Sequence, residues 1–244
     1  MGESLLPPDD RVIMVSGASR GIGAATARRL LNDGYRLSLG VRDRNAGWSA
    51  IGEVDRARVT VSHFDALDPE TASAWVEATM TTFGKIDGLV NNAGVLRHVG
   101  FDADDDAALD EMWAVNVKAP FRLIRATLPH LRASGCGRIV NIGSTDGKRY
   151  RDPSVSVGYA MTKHALVALS HATRFAGWGD GVRVTALLPG AVDTDLIAGV
   201  PGVTPGPGRI DPDVIARAVA YLLSLPNNAA MAEFIVNSRL ESTL

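Results

Sequence analysis

The sequence carries a single cysteine, Cys136, among its 244 residues. An intrachain disulfide is therefore excluded, and the composition suits a reducing compartment such as the cytoplasm. Flanked by Gly135 and Gly137, with no histidine partner in view, Cys136 reads as an inert thiol. The five histidines are scattered and show no ligand spacing, so no metal site is expected. No apolar stretch is long enough to span a bilayer. The formal net charge is -2 and no long basic block occurs, so neither nucleic acid nor a membrane surface is an expected partner. The first ten residues are acidic and lack the basic start and apolar run of a signal peptide. Leu6 stands where a myristoylation signal needs Ser or Thr. Residues 1–10 read as a frayed tail on a soluble protein, and 11–244 as one domain without repeats, low-complexity tracts or an interior linker.

What remains is an apolar-rich chain, 46% hydrophobic, with enough material for a sizeable core. Short apolar runs at 11–16, 36–40, 59–62, 88–91, 138–143, 182–188 and 233–237 read as strands. Between them lie helical patterns: one from Ala24 to the stop at Gly34, then 45–53, 69–83, 103–132 (broken before Asp110), 156–176 and 211–225. Regular alternation of strand and helix predicts an α/β fold, a doubly wound parallel sheet of about seven strands with helices on both faces. Residues 198–208 are too rich in Gly and Pro for either element and read as a loop, a candidate lid.

Two constellations carry chemistry. Gly17, Gly21 and Gly23 lie between the first strand and first helix. Glycines there let the backbone approach a dinucleotide pyrophosphate, whose charge the helix N-terminus favours. Further on, the fifth strand delivers Ser144, and the next helix delivers Tyr159 and Lys163 at i and i+4, on one face. A free phenol, with a pKa of ~10, is a poor base at neutral pH. An adjacent ammonium is expected to lower that value. Such a phenol exchanges a proton with a substrate oxygen that a serine holds by a hydrogen bond.

Ser16-Gly17-Ala18-Ser19-Arg20-Gly21-Ile22-Gly23 resembles the Thr-Gly-x-x-x-Gly-x-Gly turn of the short-chain dehydrogenase/reductase family, with Ser16 keeping the hydroxyl of the usual Thr. Asn91-Asn92-Ala93-Gly94, Asn116, Ser144, the Tyr159-x-x-x-Lys163 pair and Pro189-Gly190 match further family motifs in the family's order. The resemblance implies reversible hydride transfer between a nicotinamide cofactor and a small-molecule carbonyl or secondary alcohol. It assigns Tyr159 as acid or base, Ser144 as positioner, Lys163 as partner of the phenol and of the nicotinamide ribose, and Asn116 as anchor of a relay water. It places cofactor contacts at Gly17, Ser19, Arg20, Gly21, Ile22 and Gly23, at Asp65 and Ala66, at Asn92, Ala93 and Gly94, at Tyr159 and Lys163, and at Pro189, Gly190, Val192 and Thr194. It also implies a homodimer or homotetramer built on the long helices at 103–132 and 156–176.

Where NAD-preferring members carry an acid at the end of the second strand, this chain has Val41, followed by Arg42. Arg20 and Arg42 suit a 2′-phosphate, so NADP is the expected cofactor; Asp43, one residue on, keeps NAD possible. Leu96, Arg97, His98, Thr145, Asp146, Tyr150, Ala191, Leu196 and Ile197 are expected at the substrate mouth. Lys148, Arg149 and Arg151 mark a slightly lengthened loop between Ser144 and Tyr159 and leave an anionic substrate open. The C-terminal segment lacks the family's common Asp-Gly-Gly. A nucleotide-bound scaffold without turnover, or an isomerase of the extended relatives, are the alternatives; the full catalytic set speaks against the first, and the short chain against the second.

Overall fold

A computed structural model describes residues 4–102, 105–197 and 208–237. Seven parallel strands form one sheet: β1 (Val12–Ser16), β2 (Arg36–Val41), β3 (Val59–His63), β4 (Gly88–Asn91), β5 (Arg138–Ile142), β6 (Arg183–Pro189) and β7 (Glu233–Val236). Their order across the sheet is β3-β2-β1-β4-β5-β6-β7. Each lies within a residue or two of its expected run. β1 shows why the pattern is apolar throughout: both faces are covered. Ile13 and Val15 point into one core with Leu30, Ile215, Val219 and Leu223. Met14 points to the other, with Trp75, Leu123 and Leu131. The alternation places helices α1 (Gly21–Asp33) and α7 (Pro212–Ser224) on one face and α3 (Glu70–Phe83) and α5 (Ala119–Ala133) on the other.

Strand order reverses at β1, whose neighbours β2 and β4 lead away in opposite directions. Connections from β1 and β4 therefore leave on opposite sides, and a crevice opens beyond their carboxyl ends. The remaining helices are α2 (Arg44–Ile51), α4 (Asp106–Trp113) and α6 (Val157–Gly177). The long helix expected at 103–132 is interrupted elsewhere than before Asp110. It starts at Asp106, runs to Trp113, and widens into a π turn over Ala114–Lys118 before α5 continues. The amide of Ala119 reaches back five residues to the Ala114 carbonyl, which admits an extra residue without ending the rod.

The expected frayed start is corrected from Leu6 onward. The Leu6 amide donates to the Ser224 carbonyl at 2.7 Å, and Asp10 pairs with Arg36 at 2.9 Å. Most of the expected lid, 198–207, and the atypical C-terminal segment from 238 lie outside the described residues. Among the described residues no helix is long and apolar enough to cross a membrane.

At the far end of the sheet from the crevice, Arg138 is buried and donates to several backbone carbonyls and to the Asn227 side-chain oxygen at 2.9 Å. Its Nε and Nη2 reach the Leu225 carbonyl at 3.0 and 2.6 Å, and Nη1 reaches Gly137 and Gly181. These bonds fasten β5 to the end of α7. Replacing Arg138 by Met leaves the Leu225 carbonyl buried and unpaired, so we expect a loss of about 3 kcal/mol in unfolding free energy. A urea titration checks it; a change under 1 kcal/mol would remove Arg138 from its place in the fold.

Candidate active site

The crevice at the switch point is a cleft of about 1000 Å³. Its floor is the turn after β1. Gly17 (φ +65°) and Gly21 (φ +53°) adopt left-handed backbone that a side chain resists. A Cβ at Gly17 would stand 2.9 Å from the Ala93 Cα, and one at Gly23 only 2.2 Å from the Gly17 carbonyl oxygen. Gly23 itself does not line the cleft, against expectation. It is the glycine that lets α1 pack under the turn. At the head of α1, Arg20 occupies the cap position without a side-chain capping bond, so the first amides of the helix are left for another acceptor.

The Ser16 hydroxyl explains why this turn starts with Ser or Thr. It accepts from the amides of Asn92 and Ala93 at 3.0 and 3.1 Å and donates to the Val90 carbonyl at 3.4 Å. The Asn92 side chain returns the contact, donating to the carbonyls of Ser16 and Gly17 at 2.9 and 3.1 Å. Beside this floor stand Ser19, Arg20 and Ile22, then Asn92, Ala93 and Gly94, then Asp65 and Ala66. Pro189, Gly190, Val192 and Thr194 close the other side. At the end of β2, Val41 is buried, and Arg42 follows on the cleft wall. Asp43 is committed to capping α2, its Oδ1 accepting from the Asn45 amide at 2.9 Å. Arg20 is not free of partners: it pairs with Asp195 at 3.2 Å across the cleft mouth.

The chemical group is brought together by β5 and α6. Ser156 caps α6, accepting from the amides of Tyr159 (3.2 Å) and Val99 (3.1 Å), and so fixes the first turn of the helix against the 95–99 segment. The Tyr159 ring packs on Val99 and Met112, and its hydroxyl is hydrogen-bonded to Ser144. Lys163 is buried beside it; Nζ donates to the Ile142 carbonyl at 2.9 Å and stands 5.5 Å from the Tyr159 ring centroid. Gly147 gives this lysine its room, since a Cβ there would meet the Lys163 carbonyl oxygen at 2.8 Å.

The electrostatics differ from the expected pattern. Burial, reinforced by the Asp146 carboxylate, raises the Tyr159 pKa well above that of a free phenol, and the Ser144 hydrogen bond opposes only part of this. Burial also pushes Lys163 down to about 8. The ammonium is directed at a backbone carbonyl and the ring face rather than at the phenolic oxygen. Desolvation therefore outweighs the pairing that the i, i+4 spacing suggests, and Tyr159 is held in its protonated form.

Asn116 stands behind the cleft, not on its wall. Within the π turn, its Oδ1 accepts from the Val95 amide at 2.9 Å, and its Nδ2 donates to the Val95 carbonyl (2.9 Å) and the Thr162 hydroxyl (3.1 Å). It ties the loop after β4 to the helix of Tyr159 and Lys163. At the mouth, Leu96, His98, Thr145, Asp146, Ala191, Leu196 and Ile197 line the cleft as expected, whereas Arg97 and Tyr150 do not. Arg97 pairs with Glu111 at 2.8 Å, and the Tyr150 hydroxyl donates to the Val155 carbonyl at 3.0 Å. Of the three basic residues in the lengthened loop only Arg151 reaches the wall; Lys148 pairs with Glu233 at 2.7 Å. Ser156, Glu111 and Arg209 were not singled out in the sequence. The Ser-x-x-Tyr spacing at a helix start was a usable signal for the first.

The family model for short chain dehydrogenases matches residues 11–201. An agropine synthesis reductase of Rhizobium rhizogenes is 42% identical over 219 residues, 89% of this chain and 50% of that protein; the chain thus spans about half the length of this relative. An uncharacterized oxidoreductase of Staphylococcus saprophyticus is 31% identical over 96% of this chain and 98% of its own length. The crystal structure of an alcohol dehydrogenase from Thermococcus sibiricus, complexed with 5-hydroxy-NADP, superposes with a TM-score of 0.83 at 31% identity, covering 95% of this chain and 99% of that one.

The depressed Lys163 pKa has a consequence for stability. Folding disfavours its charged form, so the penalty is complete below pH 8 and disappears as pH rises toward the ordinary value of 10.5. Relative to Lys163→Met, the wild type should gain about 3 kcal/mol between pH 7 and 10.5. Urea unfolding of both proteins across that range checks it; a constant difference would refute it.

Proposed function

The chain belongs to the short-chain dehydrogenase family, and from that premise we propose that it is an oxidoreductase moving a hydride between NADP(H) and the carbonyl or secondary alcohol of a small molecule. One observation carries this reading: Tyr159, Ser144 and Lys163 converge on the same cleft whose floor is the glycine turn. That floor fits a dinucleotide, since a side chain at Gly17 would collide with Ala93, Gly21 holds left-handed backbone, and the head of α1 has no side-chain cap.

Residues of the glycine turn, Asn92 to Gly94, Asp65, and Pro189 to Thr194 would hold the cofactor, which supplies the hydride chemistry. The protein's own part is positioning and proton transfer. The Ser144 hydroxyl donates to the substrate oxygen and aligns it with the phenol. Tyr159 gives its proton to that oxygen in reduction and takes it back in oxidation. Its raised pKa keeps the phenol protonated at neutral pH, the form that reduction requires. Lys163, ionised at neutral pH, stabilises the phenolate once the proton has left. Asn116 supports a relay toward Lys163 from behind, where Gly94 approaches both side chains.

NADP over NAD rests on the end of β2. Val41 offers no acid, Asp43 lines the cleft but has one carboxylate oxygen engaged in the α2 cap, and Arg42 also borders the cleft. A homo-oligomer and a cytoplasmic location belong to the same reading. Phe121 on α5 and Met161 and Phe175 on α6 are exposed, which supports assembly through those helices. Leu96, Leu196 and Ile197 beside His98 and Asp146 describe a mouth of mixed polarity, suited to an uncharged or modestly polar carbonyl compound.

A screen of aldehydes, ketones and alcohols followed by nicotinamide absorbance tests the activity. With any substrate found, Tyr159→Phe should lower kcat by roughly 10²- to 10⁴-fold while NADPH still binds; undiminished turnover by a folded variant would sink the reading. Titrations should show NADPH binding tighter than NADH, with Arg42→Asp reversing the order. Equal or better binding of NADH by the wild type would return the cofactor assignment to NAD.

A further inference from the structure

Arg209 lines the cleft, yet the reading above gives it no task. Its neighbour Ile210 is tied to the chain after β6. The Ile210 amide donates to the Ala191 carbonyl at 2.8 Å, and the Asp193 amide donates to the Ile210 carbonyl at 2.9 Å. Arg209 is thereby fixed beside the 189–194 segment. That segment closes on the start of α1: a Cβ at Gly21 would meet the Thr194 methyl at 3.1 Å, and Asp195 reaches Arg20 at 3.2 Å.

The Arg209 side chain is only 4% exposed. Its Nη1 faces Asp193 at 3.6 Å, a loose pair with a carboxylate that is 58% exposed. Nε and Nη2 are sealed from solvent and have no hydrogen-bond partner among the described residues. Burying charged donors unpaired is strongly unfavourable. These two nitrogens form one edge of the guanidinium, the edge that holds two oxygens of a phosphate or carboxylate side by side. Arg138 shows what a purely structural arginine does with the same edge: both of its atoms donate to the Leu225 carbonyl.

We propose that Arg209 is a phosphate-binding residue: on dinucleotide binding its guanidinium, held only loosely by Asp193, turns so that the Nε–Nη2 edge pairs with the pyrophosphate. The proposal rests on the dinucleotide reading above. Pyrophosphate is preferred to a substrate carboxylate because the wall that carries Arg209 touches the glycine turn through Thr194 and Asp195.

The test uses Arg209→Gln, Arg209→Met and Arg209→Lys in the full chain, with NADPH and NADH as probes. Fluorescence titration without any carbonyl compound should show both dissociation constants rising by about 10- to 100-fold in the Gln and Met variants. The factor should be the same for both probes, because both contain the pyrophosphate, and Lys should recover part of it. Thermal melting without ligand should place the Gln and Met variants at or above the wild type, since each removes an orphaned buried cation. Dissociation constants within twofold of wild type, or a ligand-free melting point several degrees lower, would overturn the proposal and make Arg209 structural. If the wild type binds neither dinucleotide, the functional reading falls and takes this proposal with it. That result is distinct from a wild type that binds and variants that bind equally well.

Discussion

The Ser16 hydroxyl accepts hydrogen bonds from two successive amides, those of Asn92 and Ala93, and so holds the turn after β1 against the loop after β4. The geometry of the cleft follows from that contact. It draws the Ala93 Cα so near Gly17 that no side chain fits between them. It also sets where the 94–99 segment begins, and this segment in turn meets Asn116 through Val95 and Ser156 through Val99. A chain of short polar contacts thus runs from the cofactor floor to the first turn of α6. Each link is buried or half-buried, where hydrogen bonds are strongest and their loss is most costly. The position of the Tyr159 ring is set at the far end of this chain as much as by its own helix.

Much of this was legible in the sequence because it depends on periodicity and on residues with unusual backbone or chemical properties. Seven apolar runs of strand length can only be buried on two faces, and Ile13, Met14 and Val15 divide between those faces as the period of two requires. The glycine turn was readable because Gly17 and Gly21 need left-handed backbone. The π turn around Asn116 was not. One extra residue shifts the helical phase without any breaker to mark it, so sequence pattern alone places the interruption too early. Nor is the anchoring of Leu6 legible, since its contact is backbone to backbone and leaves no trace in composition.

The electrostatics of the site lay beyond sequence reasoning for a different reason. Spacing establishes that Tyr159 and Lys163 share a helix face, but not where a flexible four-carbon stem sends its ammonium. In this chain it goes to the Ile142 carbonyl, and both side chains are largely buried at the cleft wall. A four-residue spacing therefore describes proximity, while the balance between desolvation and pairing is decided by the strand end that lies beneath. Arg209 is the mirror case. Nothing in its sequence neighbourhood distinguishes it from a surface arginine, and only the burial of its unpartnered edge does.

β7 lies at the margin of the sheet, and such strands normally invite another chain to add itself. Here Glu233, the first residue of β7, is gripped by Lys148 at 2.7 Å and by the His171 ring at 2.8 Å. The lengthened loop beside Ser144 is thereby tied to β7 and to α6 through one carboxylate. The loop that borders the cleft and the last strand of the sheet thus share one carboxylate, and a change at either end is felt at the other.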